Sequence, residues 1–209
     1  HFLVDVTGSR YLLDDVTVQS NTPFVVTHAL GRGTLAGDIA LHGSFDATAS
    51  DRSPLQTTGS VAVAGGGSLS MADDMTYFVD GGDADITGIA LAGGSFSVTN
   101  GGSLNLHEAA SMTEQTVEVH AGSDARLANL NATTGVTVRA AGGEATCIEV
   151  YMTGGTLDAR GSGTVSVAEG CLLSDVTIKS SGNGIVEMRP ESGGKTYLFN
   201  PVIDEGASL

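Results

Sequence analysis

Ser192-Gly193-Gly194-Lys195-Thr196 carries residue types that cradle phosphate. Such a loop also needs a glycine five places before Gly194, where this chain has Arg189, and a helix afterwards, where it has the strand-like run TYLFNPV. A nucleotide site is therefore not expected. The five histidines (His1, His28, His42, His107 and His120) show neither H-x3-H nor HExxH spacing, and no cysteine lies near them, so a zinc site is not expected either. The best metal candidate is DGGDAD, residues 80–85, in which Asp80, Asp83 and Asp85 could offer oxygens to calcium. It lacks the ligand positions and terminal glutamate of an EF-hand loop, and an acidic turn also serves simply as solvated surface. No G-x-S-x-G hydrolase elbow occurs.

Two carboxylates about 5 to 9.5 Å apart beside a groove could hydrolyse a glycosidic bond. Asp73 with Asp74, and Glu187 with Glu191, are the candidate pairs. Sugar grooves also use aromatic platforms and basic residues, which are scarce: aromatics are 5% of the chain, and Lys plus Arg number 9. Cys147 and Cys171 stand 24 positions apart, so they could bridge adjacent turns of a repeat or stay as buried thiols that pack like small hydrophobes.

The elements that would position these groups are strands. The 209 residues are 41% hydrophobic without a Trp, so a core must be built from Val, Leu, Ile and Ala. Thirty glycines against four prolines point to many tight turns. Around those turns the chain alternates, as in Phe96-Ser97-Val98, Val117-Glu118-Val119 and Val136-Thr137-Val138. Period-2 alternation rich in β-branched residues is a strand signal.

One phrase recurs: an inward apolar residue, a Gly-rich turn and a second apolar residue six or seven places on. Its copies begin at Val63, Val79, Val98, Val119, Val138, Ala159, Ile178 and Ile203, with gaps of 16, 19, 21, 19, 21, 19 and 25. A period near 20 with two or three short strands per unit predicts one coil of a single-stranded parallel β-solenoid, expected to be right-handed. Small inward residues suit its narrow interior, and Gly-Gly supplies its corners. Residues 1–58, interrupted by Pro23 and Pro54, are expected to form irregular N-terminal coils, and residues 59–209 the regular ones. Because IDEGASL stops within the phrase, the natural chain is expected to continue beyond it.

The formal net charge of -15 leaves no basic stripe for nucleic acid and disfavours anionic membrane surfaces. No apolar run approaches the ~20 residues of a membrane span, and HFLVDVTGSR has neither the basic start nor the apolar stretch of a signal peptide.

The phrases VAGGGSLSM, SVTNGGSLNL, VHAGSDARL and VIDEGASL resemble the passenger repeats of AIDA-type autotransporters, the self-associating or diffuse-adherence adhesins of Gram-negative bacteria. The resemblance covers roughly residues 59–209. It implies a passenger β-helix outside the cell, held at the bacterial surface by an outer-membrane barrel that lies outside this segment. It further implies a non-enzymatic role in adhesion or self-association, with a surface glycan, a surface protein or like passengers as partners. One long face of polar residues such as Asn100, Asn105, Thr177 and Lys179 would supply many weak hydrogen bonds, with affinity arising from multivalency. A passive stalk and a polysaccharide-active β-helix, hydrolase or lyase, are the alternative readings. No cofactor is expected apart from the calcium option at residues 80–85.

Overall fold

A computed structural model describes backbone and side chains over residues 76–86, 95–107, 112–130, 133–190 and 194–204. It describes backbone alone for strands between residues 2 and 71 and at 87, 90–92, 111 and 132. The regular structure of the described residues is entirely strand, and the strand pairings are parallel. Each turn of chain contributes one strand to each of three sheets of ten, nine and six strands. In the N-terminal turns a four-stranded sheet takes the third place in chain order. The protein is a parallel β-solenoid.

Register gives the coil length. In the ten-stranded sheet Tyr77, Phe96, Val117, Val138, Leu157, Ile178 and Ile203 pair in succession, at spacings of 19, 21, 21, 19, 21 and 25. Successive coils thus average 21 residues and repeat at a rise of about 4.8 Å, the spacing of paired strands. Pairing also crosses residue 58, because Leu55–Thr57 lies between Gly33–Ala36 and Thr76–Asp80.

The interior is a set of columns. Alternate residues of Thr76–Asp80, Ser95–Thr99 and Thr116–His120 are buried, as period-2 geometry requires. Tyr77 packs against Phe96 in a tilted pair, with ring centroids 5.6 Å apart and 48° between planes. The column then narrows through Val117, Val138 and Leu157 to Ile178, all fully buried. Met112, Thr133, Met152 and Leu173 form the buried column of the six-stranded sheet, and the Thr133 hydroxyl donates to the Tyr151 carbonyl.

The register corrects the recurring phrase. Val79, Val98, Val119 and Ala159 share one column, but the residues completing it are Ala140 and Ser180, not Val138 and Ile178. Ile203 likewise pairs with Ile178 rather than with Ser180. Those three copies start two residues early, on the neighbouring inward position. Val63 pairs with Ile86 in the nine-stranded sheet, so its phrase turns a different corner.

Three corners close each coil. The first, between the ten- and nine-stranded sheets, is glycine-rich: Gly81-Gly82, Gly101-Gly102, Gly142-Gly143. The second places Asn129, Glu149 or Gly170 in the left-handed region, followed by buried Leu130, Val150 or Cys171. The third places Glu114, Gly135, Gly154, Asp175 and Asn200 there. In the third corner the left-handed N–H donates to the next coil's carbonyl, as from Glu114 to Thr134 and from Gly154 to Ser174. Threonine or serine brackets four of these five corners, in Thr113/Thr116, Thr134/Thr137, Thr153/Thr156 and Ser174/Thr177.

Candidate functional site

The outward side chains are ordered by the same register, so each sheet presents columns spaced one coil apart. The ten-stranded sheet carries a hydroxyl column, Thr76, Ser95, Thr116, Thr137, Thr156 and Thr177, in which the Thr76 and Ser95 hydroxyls lie 3.0 Å apart. Beside it runs a charge column of Glu118, Arg139, Asp158 and Lys179. Asp158 is only 3% exposed and binds Arg139 Nε at 3.0 Å and Arg160 Nη2 at 2.8 Å. Burial alone would raise its carboxyl, but the hydrogen bonds from Arg160 and Arg139 outweigh it and hold the group below the usual carboxylate range. Alternating signs keep like charges from stacking coil upon coil.

The calcium candidates are split between faces. Asp80 ends a strand of the ten-stranded sheet, whereas Asp83 and Asp85 lie on the nine-stranded one. Asp80 accepts from Asn100 Nδ2 and Thr99 Oγ1. Asp85 is bonded to Asn105 Nδ2 and lies 2.6 Å from His107 Nε2. Among the described residues no three His, Cys, Asp or Glu side chains are grouped to hold a metal.

The other sequence candidates are also dispersed. Asn105 is on the nine-stranded sheet and Thr177 and Lys179 on the ten-stranded one, so the expected single polar face is two faces. His107 and His120 lie on different sheets. Glu187 accepts from Ser166 and pairs with Arg189. Its proposed partner Glu191, and Asp73 and Asp74, lie outside the described residues. Ser192 and Gly193 lie outside them too, while Lys195 is exposed and no helix follows it.

Cys147 and Cys171 are free, buried thiols on adjacent coils, and Cys171 Sγ lies 3.4 Å from the Cys147 carbonyl oxygen. Burial holds both above the ordinary thiol range, and the neighbouring Cys171 raises Cys147 further.

A shallow depression of about 500 Å³ on the ten-stranded sheet is lined by Phe78, Asp80, Thr99, Asn100, His120 and Ala141, among others. The outer face of the six-stranded sheet has a different chemistry. Tyr151, Leu172 and Tyr197 pair in one outward column, and Thr153, Ser174 and Phe199 in the next. Sequence reading missed this face because Tyr151 stands two coils away from Tyr197 and Phe199, which share one strand. The signal was present as Tyr151 and Tyr197, each directly before an inward Met or Leu.

Among the described residues no helix is long and apolar enough to cross a membrane. Comparison with protein-family models, curated proteins and solved structures finds no match to this chain.

Proposed function

We propose that this chain is a passenger segment of a bacterial surface protein, displayed outside the cell, that mediates adhesion or self-association by binding rather than catalysis. The observation that carries the reading is repetition at the surface. Every coil sets another hydroxyl beside the last on the ten-stranded sheet, from Thr76 to Thr177, so a partner meets many equivalent weak donors in line. Such an array gains affinity by simultaneous engagement, not by one deep pocket. The resemblance of VAGGGSLSM, SVTNGGSLNL and VHAGSDARL to autotransporter passenger repeats points the same way.

The test is surface display of the segment on a non-aggregating bacterial host, with settling of the cells or their retention on host-cell monolayers as the readout. Replacing the segment with an inert solenoid of equal length should abolish both. Undiminished aggregation or retention with the inert spacer would make the segment a stalk and overturn the proposal.

A further inference from the structure

We propose that the outer face of the six-stranded sheet, from Tyr151 to Phe199, binds a neutral, extended polysaccharide chain. This deepens the adhesion reading by naming a partner class and a face, and it can stand if cell aggregation fails.

Three observations carry it. First, the chain has only ten aromatic residues, four Tyr and six Phe, yet three of them are exposed together here. Tyr151 is 45% exposed, Tyr197 49% and Phe199 50%, with Leu172, 37% exposed, filling the column between the tyrosines. Exposed apolar side chains gathered on one face mark a contact surface, whereas scattered ones do not. Second, the rings are ordered. Tyr197 and Phe199 lie nearly parallel, 14° between planes with centroids 6.4 Å apart, and Tyr151 lies two coils from Tyr197, about 10 Å along the rod. Flat rings held at set separations on a flat sheet suit a ligand whose apolar faces recur along its length, as the C–H faces of linked hexoses do. The Thr153 hydroxyl beside the rings can bond sugar hydroxyls, and the Ser174 hydroxyl, which donates to Asp175 Oδ2, can accept from them.

Third, charge selects the occupant. None of the six side chains is charged, although the protein carries 24 acidic and 9 basic residues. The bordering corners carry exposed carboxylates, Glu149 on one side and Asp175 on the other, against one exposed cation, Lys195, in the last coil. Facing carboxylates repel a second copy laid face to face and repel acidic polysaccharides, while they accept hydrogen bonds from neutral sugars.

The experiment is affinity electrophoresis of the full chain in native gels containing hydroxyethylcellulose, galactomannan or mixed-linkage β-glucan, with polygalacturonate as the acidic comparison. At least one neutral polymer should retard the protein, and polygalacturonate should not. Tyr197→Ala and Tyr151→Ala should each weaken retardation roughly tenfold, the order expected for one lost ring contact. Tyr151→Phe and Tyr197→Phe should preserve it. Circular dichroism of all variants should match the parent, since the altered positions are exposed. Absence of retardation by all three neutral polymers, equal retardation by polygalacturonate, or full retention by the Tyr→Ala variants would overturn the proposal. So would a concentration-dependent dimer that Tyr197→Ala dissolves in the absence of any retardation. Aggregation and retention of cells undiminished by the inert spacer, with retardation of the isolated chain intact, would defeat the adhesion reading alone.

Discussion

Substitution at a first-corner glycine tests the stacking directly. A Cβ built on Gly163 would lie 2.1 Å from the Ala140 carbonyl oxygen and 2.6 Å from its carbon, both backbone atoms of the preceding coil. Ordinary contact begins near 3.4 Å, so Gly163→Ala must force the two coils apart locally by about 1.3 Å, a quarter of the ~4.8 Å rise. The adjacent ladder bond from Thr164 N–H to the Gly143 carbonyl, 2.9 Å long, cannot survive that displacement. Overpacking costs about 1–3 kcal/mol and the lost bond about 1 kcal/mol, giving roughly 2–4 kcal/mol. Gly161, in the same corner, provides the control. Its φ is +64° with nothing within 4 Å of an added Cβ, so Gly161→Ala costs only the left-handed conformation, about 1–2 kcal/mol. Thermal denaturation followed by circular dichroism should place the two variants several degrees apart, at about 2–4 °C per kcal/mol for a chain of this size. Hydrogen exchange should show the loss in the coils that touch Gly163, because each coil contacts only its neighbours. Ser123 holds the equivalent corner position two coils earlier, where its Oγ receives the Gly101 N–H at 3.2 Å. A side chain is accommodated where the underlying corner is shaped for it, which Gly163→Ala does not provide. Equal stability of Gly163→Ala and Gly161→Ala would refute the close approach of successive coils.

Other outcomes follow from the same packing. Phe96→Ala should cost about 3–5 kcal/mol in thermal or denaturant unfolding, because the ring is fully buried and packed against Tyr77. The carboxyl of Asp158 is depressed by its arginines, so its stabilisation is present above the ordinary carboxylate pKa and is lost as pH falls through the lower folded value. Acid titration of stability should therefore be shallower in Asp158→Asn than in the parent. At neutral pH the same substitution should cost about 1–3 kcal/mol by weakening the bonds to Arg139 and Arg160. Cys147 and Cys171, buried with raised thiol pKa values, should react with Ellman's reagent in the native protein only as fast as it opens, and promptly in denaturant.

The amino-acid sequence by itself determined that this is a stack of short strands. Alternation such as Phe96-Ser97-Val98 fixes which side chains turn inward, and a recurrence near 20 residues implies coils, because a lone coil cannot bury its apolar side. It could not fix register. A strand of the ten-stranded sheet such as Thr116–His120 offers two inward positions, Val117 and Val119, so a phrase can slide by two residues and still satisfy the pattern. The third corner, with Thr or Ser on both sides of residues as different as Glu114, Gly135 and Asp175, was equally obscured. Its common feature is a left-handed backbone, not a residue type. The surface chemistry was brought together by the tertiary structure. Tyr151 and Tyr197 are 46 residues apart in the chain and two coils apart in space, while Asp80 and Asp83 are three apart in the chain and on different sheets. Stacking replaces nearness along the chain with nearness between coils, and only hydrogen-bonded register says which residues become neighbours.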